Sequence, residues 1–409
     1  MNEKLLFEKF VKQLSSWSKT GEEPKLGDWN IRAYLELQEQ RLKEKDLKRT
    51  FDFDIEGNIT KIGDFAIGQL INYYNKRLNF AFGTKEITYQ KNGKIVYKEK
   101  KQISLYQLVK WPDDNKKEWK MDTYVCDNCG NIETVEVLET NGCPYCGTHF
   151  IVSEMYPKVT NFYVLENMPD TKLTVGRLIK VAKWAFVVAF IMTVYMKISG
   201  MDIGLEYANS FGGTLLIAYI AYFIAGIWVS PVIATIAEGM PVTFGVMGAK
   251  AKITTKLRKY DESFSYDYFE GKALSLLRMI IFSKDPMKSV QYRGETLPEA
   301  YADIIDMDYR GGLNLEKAKR VGEYIEVTLK VYMKNTYYQK GRCKKKNDTM
   351  YVRMRHNVKW KVQQDFSIVK VSCHGCGGSF DATKYRNCPY CEQEYNAGRD
   401  DWEVLEIHS

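Results

Sequence analysis

The segment "RNCPYCEQEY" (residues 386–395) sets Cys388 and Cys391 around a Pro-Tyr pair. Cys-Pro-Tyr-Cys serves two chemistries: it is the redox pair of glutaredoxins, and it is half of a four-thiolate zinc site. The other cysteines arbitrate. Eight of the nine fall into Cys-x-x-Cys pairs, namely Cys126/Cys129, Cys143/Cys146, Cys373/Cys376 and Cys388/Cys391, leaving Cys343 over. Residues 130–142 separate the pairs of the first set and residues 377–387 those of the second, which is the spacing of a zinc ribbon. Two tight turns each offer two thiolates, and a short strand-rich loop brings the turns together. Structural Zn²⁺ takes four such ligands in a tetrahedron. Gly130 and Gly147 follow two of the pairs and Gly377-Gly378 a third; glycine there lets backbone N–H groups approach the sulfurs.

A glutaredoxin needs a single dithiol at the head of a helix. Here Cys-Pro-Tyr-Cys occurs twice, each time as the downstream half of a four-cysteine set. Two structural Zn²⁺ ions are therefore expected, with disulfides or redox dithiols as the alternatives. A closed four-thiolate site keeps no position for water, so the expected role is folding rather than catalysis. Each ion would supply on the order of 10 kcal/mol to a loop too small to fold alone. His149 and His374 lie near the cysteines and read as surface histidines, because thiols already complete both sets.

The 409 residues allow two or three domains, and the net charge of +8 is too mild to argue for nucleic acid by itself. The opening "MNEKLLFEKFVKQL" does not read as a signal or transit peptide, since acids interrupt it. It reads as a short amphipathic helix with Leu6, Phe7, Phe10, Val11 and Leu14 on one face. Paired cysteines without a secretory signal favour metal over disulfides.

Two apolar stretches occupy the middle. "VAKWAFVVAFIMTVYMKI" (181–198) is bracketed by Lys183 and Lys197, and residues 207–237 carry no charge. A membrane helix needs about 20 such residues. Together they are expected to form a transmembrane hairpin (176–238), with a buried soluble helix as the alternative. Lys172, Arg177, Lys180 and Lys183 precede or open it and Lys250, Lys252 and Lys256 follow it, while the turn carries Asp202 and Glu206. The positive-inside rule puts both long flanks in the cytosol of a multi-pass cell-membrane protein.

The flanks read as α+β. Residues 1–50 are a charged helical segment, residues 51–125 an α+β segment, and residues 126–170 the first ribbon with a closing strand. Residues 261–370 form a helix-plus-sheet domain, and residues 371–409 the second ribbon with its closing strand. Helices are expected over 31–50 (solvated, or less favoured as partner-binding), 63–80, 263–283 and 297–313, and Asn92-Gly93 marks a hairpin turn. "NFYVLEN" after the first ribbon and "DDWEVLEI" after the second echo one another, as a loosely repeated module would.

The stretch from Asp261 to Ile407, with "DESFSYDYFEGKALSLLRMIIFS", the strands after it and "CHGCGGSFDATKYRNCPYCEQEYNAGRDDWEVLEI", resembles bacterial membrane proteins that join a zinc ribbon to a domain of the mitochondrial import-motor scaffold family. The resemblance covers about a third of the chain. It implies a cone-like fold of the nuclear-transport-factor-two kind, with helices on a bent antiparallel sheet around a pocket. It also implies membrane association and protein binding linked to transport.

Catalytic constellations are not apparent. The four histidines lie far from any nucleophile motif, and Asp303, Asp306 and Asp308 read as a solvated helix face, with an acid–base pair as the alternative. The basic hairpin at Lys340, Arg342, Lys344, Lys345 and Lys346 reads as a solvated turn, with anionic lipid or nucleic acid as alternative partners. The leading expectation is a membrane-anchored, zinc-ribbon scaffold binding a protein partner. The runner-up is a membrane-tethered nucleic-acid-binding protein.

Overall fold

The computed structural model describes residues 3–55, 60–61, 76–111, 117–166, 183–184, 186–195, 198–199, 211–224, 249–262, 264–362 and 367–409. The chain divides into two units, Met1–Glu166 with Gly248–Ser409, and Asn167–Met247.

Helix α1 (Glu3–Thr20) opens the first unit and buries Leu6, Phe7, Phe10, Val11, Leu14 and Trp17 on one stripe, the face its apolar spacing demands. Helix α2 (Trp29–Glu44) starts where the Asp28 carboxylate accepts the Ile31 N–H at 2.9 Å. Strand β1 (Leu47–Ile55) and the two-residue β2 (Thr60–Lys61) both pair with β3 (Lys76–Lys91). Strand β4 (Lys94–Lys110) returns from β3 through Asn92 and Gly93, whose φ values of 49° and 75° make the two-residue turn that the twist of a hairpin favours. The first cysteine set follows, between β5 (Thr123–Val125), β6 (Ile132–Thr134) and helix α3 (Val135–Thr140). Strand β7 (Lys158–Glu166) then closes the sheet against β4.

The same plan runs again after residue 248. Helix α4 (Ala249–Leu257) precedes α5 (Tyr266–Phe282), whose Ser265 cap accepts from Tyr268 N–H at 3.2 Å. Phe269, Ala273, Leu276, Leu277, Ile280 and Ile281 are all buried, as their helical spacing predicts. Strands β8 (Ile304–Val321), β9 (Tyr324–Gln339) and β10 (Arg342–Asn357) form a meander. Lys340 and Gly341 (φ 50° and 76°) turn β9 into β10 as Asn92 and Gly93 turn β3 into β4. The second cysteine set sits among β11 (Lys370–Ser372) and β12 (Ser379–Asp381), and β13 (Glu403–His408) returns to pair with β10.

The sheet orders β1-β3-β4-β7 and β8-β9-β10-β13 are therefore equivalent, each with a four-cysteine insertion before its last strand. The echoing Val-Leu-Glu segments fall on β7 and β13. The architecture is α+β with a curled antiparallel sheet, as expected.

Three local expectations change. Residues 297–313 are not a helix: after one 3-10 turn (Glu299–Asp303) they enter β8. Ile304, Ile305, Met307 and Tyr309 are all buried, so apolar residues are needed on both faces of the strand, and Gly311 (φ 73°) lies at a register shift rather than at a helix end. Of the helix expected over 63–80, only residues 76–80 are described, and they belong to β3. Helix α2 is not a solvated helix. It packs on α5, with Tyr34 and Phe282 ring centres 5.8 Å apart. Arg41 donates to the carbonyls of Ile281, Tyr301 and Ala302 at 2.9–3.1 Å, and Gln38 to the carbonyl of Ile305 at 3.0 Å. One core spans both modules.

In the second unit, residues 186–195 and Phe211–Ile224 are helical. Among the described residues no helix is long and apolar enough to cross a membrane. Most of the hairpin read over 176–238 lies outside the described residues.

Candidate metal centres

Each cysteine pair stands on one backbone motif, repeated four times. The first cysteine's N–H donates to the carbonyl five residues on, and its own carbonyl accepts from the N–H four residues on. The bonds are Cys126 N–H to Asn131, Cys143 to Thr148, Cys373 to Gly378 and Cys388 to Gln393, all 2.8–2.9 Å, with the return bonds from Gly130, Gly147, Gly377 and Glu392 also 2.8–2.9 Å. The residue that makes the return bond lies in the left-handed region each time: Gly130 at φ 78°, Gly147 at 71°, Gly377 at 74° and Glu392 at 61°. Three glycines adopt it freely, and the fourth position holds a glutamate.

These turns converge the sulfurs. Cys126, Cys129, Cys143 and Cys146 bring their Sγ atoms within 4.8 Å of one another, and so do Cys373, Cys376, Cys388 and Cys391. Sulfur pairs stand 3.8 Å (Cys126–Cys146) and 3.6 Å (Cys129–Cys143) apart in the first set. In the second they stand 3.5 Å (Cys373–Cys391) and 3.6 Å (Cys376–Cys388) apart. A disulfide needs about 2.05 Å. A tetrahedron of sulfurs around Zn²⁺ at about 2.3 Å has edges of roughly 3.8 Å. The sets fit a four-thiolate metal ion such as zinc, and the sequence-predicted ligands are all brought together.

Neighbouring hydrogen-bond groups favour the thiolate at one cysteine of each set. The Thr148 hydroxyl lies 3.2 Å from Cys146 Sγ and lowers that thiol's pKa to about 6. Burial works against the Cys373 thiolate, but N–H groups of Cys376 and Gly375 outweigh it and bring its pKa down to about 6. Within each set a neighbour moves the other way. Burial pushes Cys129 up to about 12, and Cys391 is also raised to about 12, chiefly by sharing its proton with Cys373 against the pull of the Gln393 N–H. Metal binding to such thiols is coupled to release of their protons.

Small apolar cores pack around the clusters. Trp119, Tyr124, Val135, Leu138, Met155 and Tyr156 surround the first, and Val290, Val371, Phe380, Ala382, Tyr395 and Ala397 the second. Neither histidine joins a sulfur cluster. His374 stacks on Tyr395 (4.9 Å) and sets Nε2 2.8 Å from Asp400, while His149 packs against Gly142. The two cysteine-bearing loops also touch: Ser379 Oγ donates to Asn131 Oδ1 at 3.2 Å, and Ile132 N–H lies 3.4 Å from the same Oγ. Sequence spacing gave no sign of this contact, because it joins residues nearly 250 positions apart.

A cavity of about 120 Å³ lies between the first cysteine loop and α5, with Lys110, Lys158 and Lys272 in its wall. Each ammonium has a carboxylate: Asp122 at 3.1 Å, Asp127 at 3.1 Å and Asp401 at 2.5 Å. The acids read from sequence as a solvated face are not one. Asp303 pairs with Lys45 at 2.9 Å, and Asp306 and Asp308 are buried on β8 facing Lys85. Their neighbours neutralise them, an arrangement that suits a structural seam.

No family model matches this chain, and neither a curated protein nor a solved structure is significantly similar to it.

Proposed function

We propose that the chain is a membrane-anchored scaffold whose duplicated module, stapled by two structural Zn²⁺ ions, binds a protein partner on the cytosolic side. The observation that carries the anchoring is the outward display of large apolar side chains in the Asn167–Met247 unit. Trp184, Ile191, Tyr195, Leu216, Tyr219 and Ile220 are each about half exposed or more. A soluble surface rarely exposes so many large apolar side chains along two short helical segments, whereas lipid would cover them. Flanking lysines and arginines support the orientation. The resemblance to the import-motor scaffold family supports a role in protein transport or membrane-associated assembly. Balanced charges around the inter-module cavity favour binding over chemistry. Carbonate washing of native membranes tests the anchoring: the chain is expected in the pellet, and recovery in the wash would remove the membrane from the account.

A further inference from the structure

The two equivalent hairpins end side by side. Lys91, the last residue of β3, sets its ammonium 5.4 Å from the ring centre of Tyr338 near the end of β9. Further back, Lys345 of β10 pairs with Glu99 of β4. Both left-handed turns, Asn92-Gly93 and Lys340-Gly341, thus project from one end of the same unit.

The charges on these hairpins are matched along the strands and unmatched at the ends. Lys98 pairs with Glu86 at 2.7 Å, Lys101 with Glu99 at 2.8 Å and Lys346 with Asp348 at 2.9 Å. Lys94, Lys340, Arg342 and Lys344 are exposed and have no ion-pair partner among the described residues. Lys48, opposite Gln90 in β3, is exposed in the same way. Two carboxylates lie near the tips among the described residues: Asp46, 3.8 Å from Lys91, and Asp303, which accepts from Gln339 at 2.8 Å and is paired with Lys45 at 2.9 Å. Beside Lys94, Ile95 stands 59 % exposed.

Five exposed cations with no ion-pair partner among the described residues, one of them beside an exposed aliphatic side chain, fit a surface that is anionic and greasy just beneath. Single-stranded nucleic acid instead asks for exposed aromatic rings on which bases stack. The tyrosines here offer little of that: Tyr89, Tyr337 and Tyr338 are buried, and Tyr97 is half-buried against Tyr89. We infer that the paired hairpin tips are a docking surface for anionic phospholipid headgroups. The inference rests on the membrane reading above. It adds a second, electrostatic contact with the bilayer, effective only within the roughly 8 Å that salt allows at physiological ionic strength.

The test is hydrogen–deuterium exchange on the full chain in phosphatidylcholine nanodiscs with and without phosphatidylserine, read on peptides covering residues 88–98 and 336–346. Both tips are expected to exchange about fivefold more slowly in the phosphatidylserine discs, and to lose that protection in high salt. The charge-reversed chain K94E/K340E/R342E/K344E, checked for unchanged metal content, should show none. Equal exchange in both discs, with the chain incorporated, would overturn the inference and leave the anchoring intact. Failure to enter either disc would overturn both. Protection by an RNA oligonucleotide in neutral discs, with none from phosphatidylserine, would overturn it in favour of nucleic acid.

Discussion

Lys85 of β3 and Asp308 of β8 meet 3.2 Å apart across the seam between the two modules. Lys85 also faces Asp306 at 3.6 Å, and Asp306 faces Arg49 at 3.8 Å and accepts from Gln38 at 2.9 Å. Burial works against the Lys85 ammonium, yet Asp308 and Asp306 outweigh it and raise its pKa. Burial likewise works against the Asp306 carboxylate, and Lys85 and Arg49 pull its pKa well below the usual range.

Breaking that seam on one side leaves buried charge unpaired. Lys85→Met is expected to cost about 3–5 kcal/mol, measured by urea unfolding at neutral pH. Adding Asp308→Asn, which removes the partner left by Lys85 and keeps Asp306 for Arg49, should recover part of the loss. Because the Asp306 pKa is depressed, its contribution is present above the unfolded carboxylate pKa and fades as pH falls through the folded one. An unchanged midpoint in Lys85→Met would mean that the modules are held by apolar contact alone.

Asp28 titrates with the opposite sign. Burial raises its pKa to about 6, against opposing pulls from the Ile31 N–H, Arg32 and Lys158. Its stabilising contribution is complete below the ordinary carboxylate pKa of 3.8 and is lost as pH rises through about 6. Asp28→Asn keeps an N-cap oxygen and removes the ionisation. Its stability should lack the decline between those values and exceed the parent's above pH 6 by on the order of 1–2 kcal/mol. Parallel pH–stability curves for the two proteins would contradict this.

Glu392 holds a left-handed conformation that glycine holds at the other three knuckles. Glu392→Gly is expected to stabilise the second cluster by about 1 kcal/mol, and Gly147→Ala to weaken the first by at least as much. Nothing lies within 4 Å of the Cβ added at Gly147, so only backbone strain acts there. Metal loss to a chelator over time reads both effects.

Arg41 ties α2 to three carbonyls of the second module. Arg41→Met strips all three of their donor and should cost about 2–4 kcal/mol. Arg41→Lys, with a single ammonium in place of a planar fork, should recover only part of that. Thermal melts of the two variants and the parent separate these outcomes, and an Arg41→Lys variant as stable as the parent would show that charge, not the fork, matters.

The features readable in advance were those carried by local spacing. Cys-x-x-Cys pairs, the Asn92-Gly93 turn, the Ser265 cap and the apolar stripes of α1 and α5 each speak within a few residues. What escaped was set by partners far along the chain. Asp308 looks solvated until Lys85, 223 residues away, is placed beside it. Helix α2 lacks a wide apolar stripe because polar anchors, Gln38 and Arg41, do part of its packing. Residues 304–309 look helical by composition, but both of their faces are buried, which a strand inside a two-layer core satisfies. Glu392 could not be singled out, since only the repeated hydrogen-bond pattern shows that its position asks for glycine.

Native mass spectrometry of the full chain, purified under reducing conditions, tests the thiolate staples most directly. The account predicts a chain heavier than its polypeptide by two zinc ions, with one lost on Cys143→Ser and the other on Cys388→Ser. A folded chain at the bare polypeptide mass, or one lighter by the hydrogens of bridged cysteines, would contradict it.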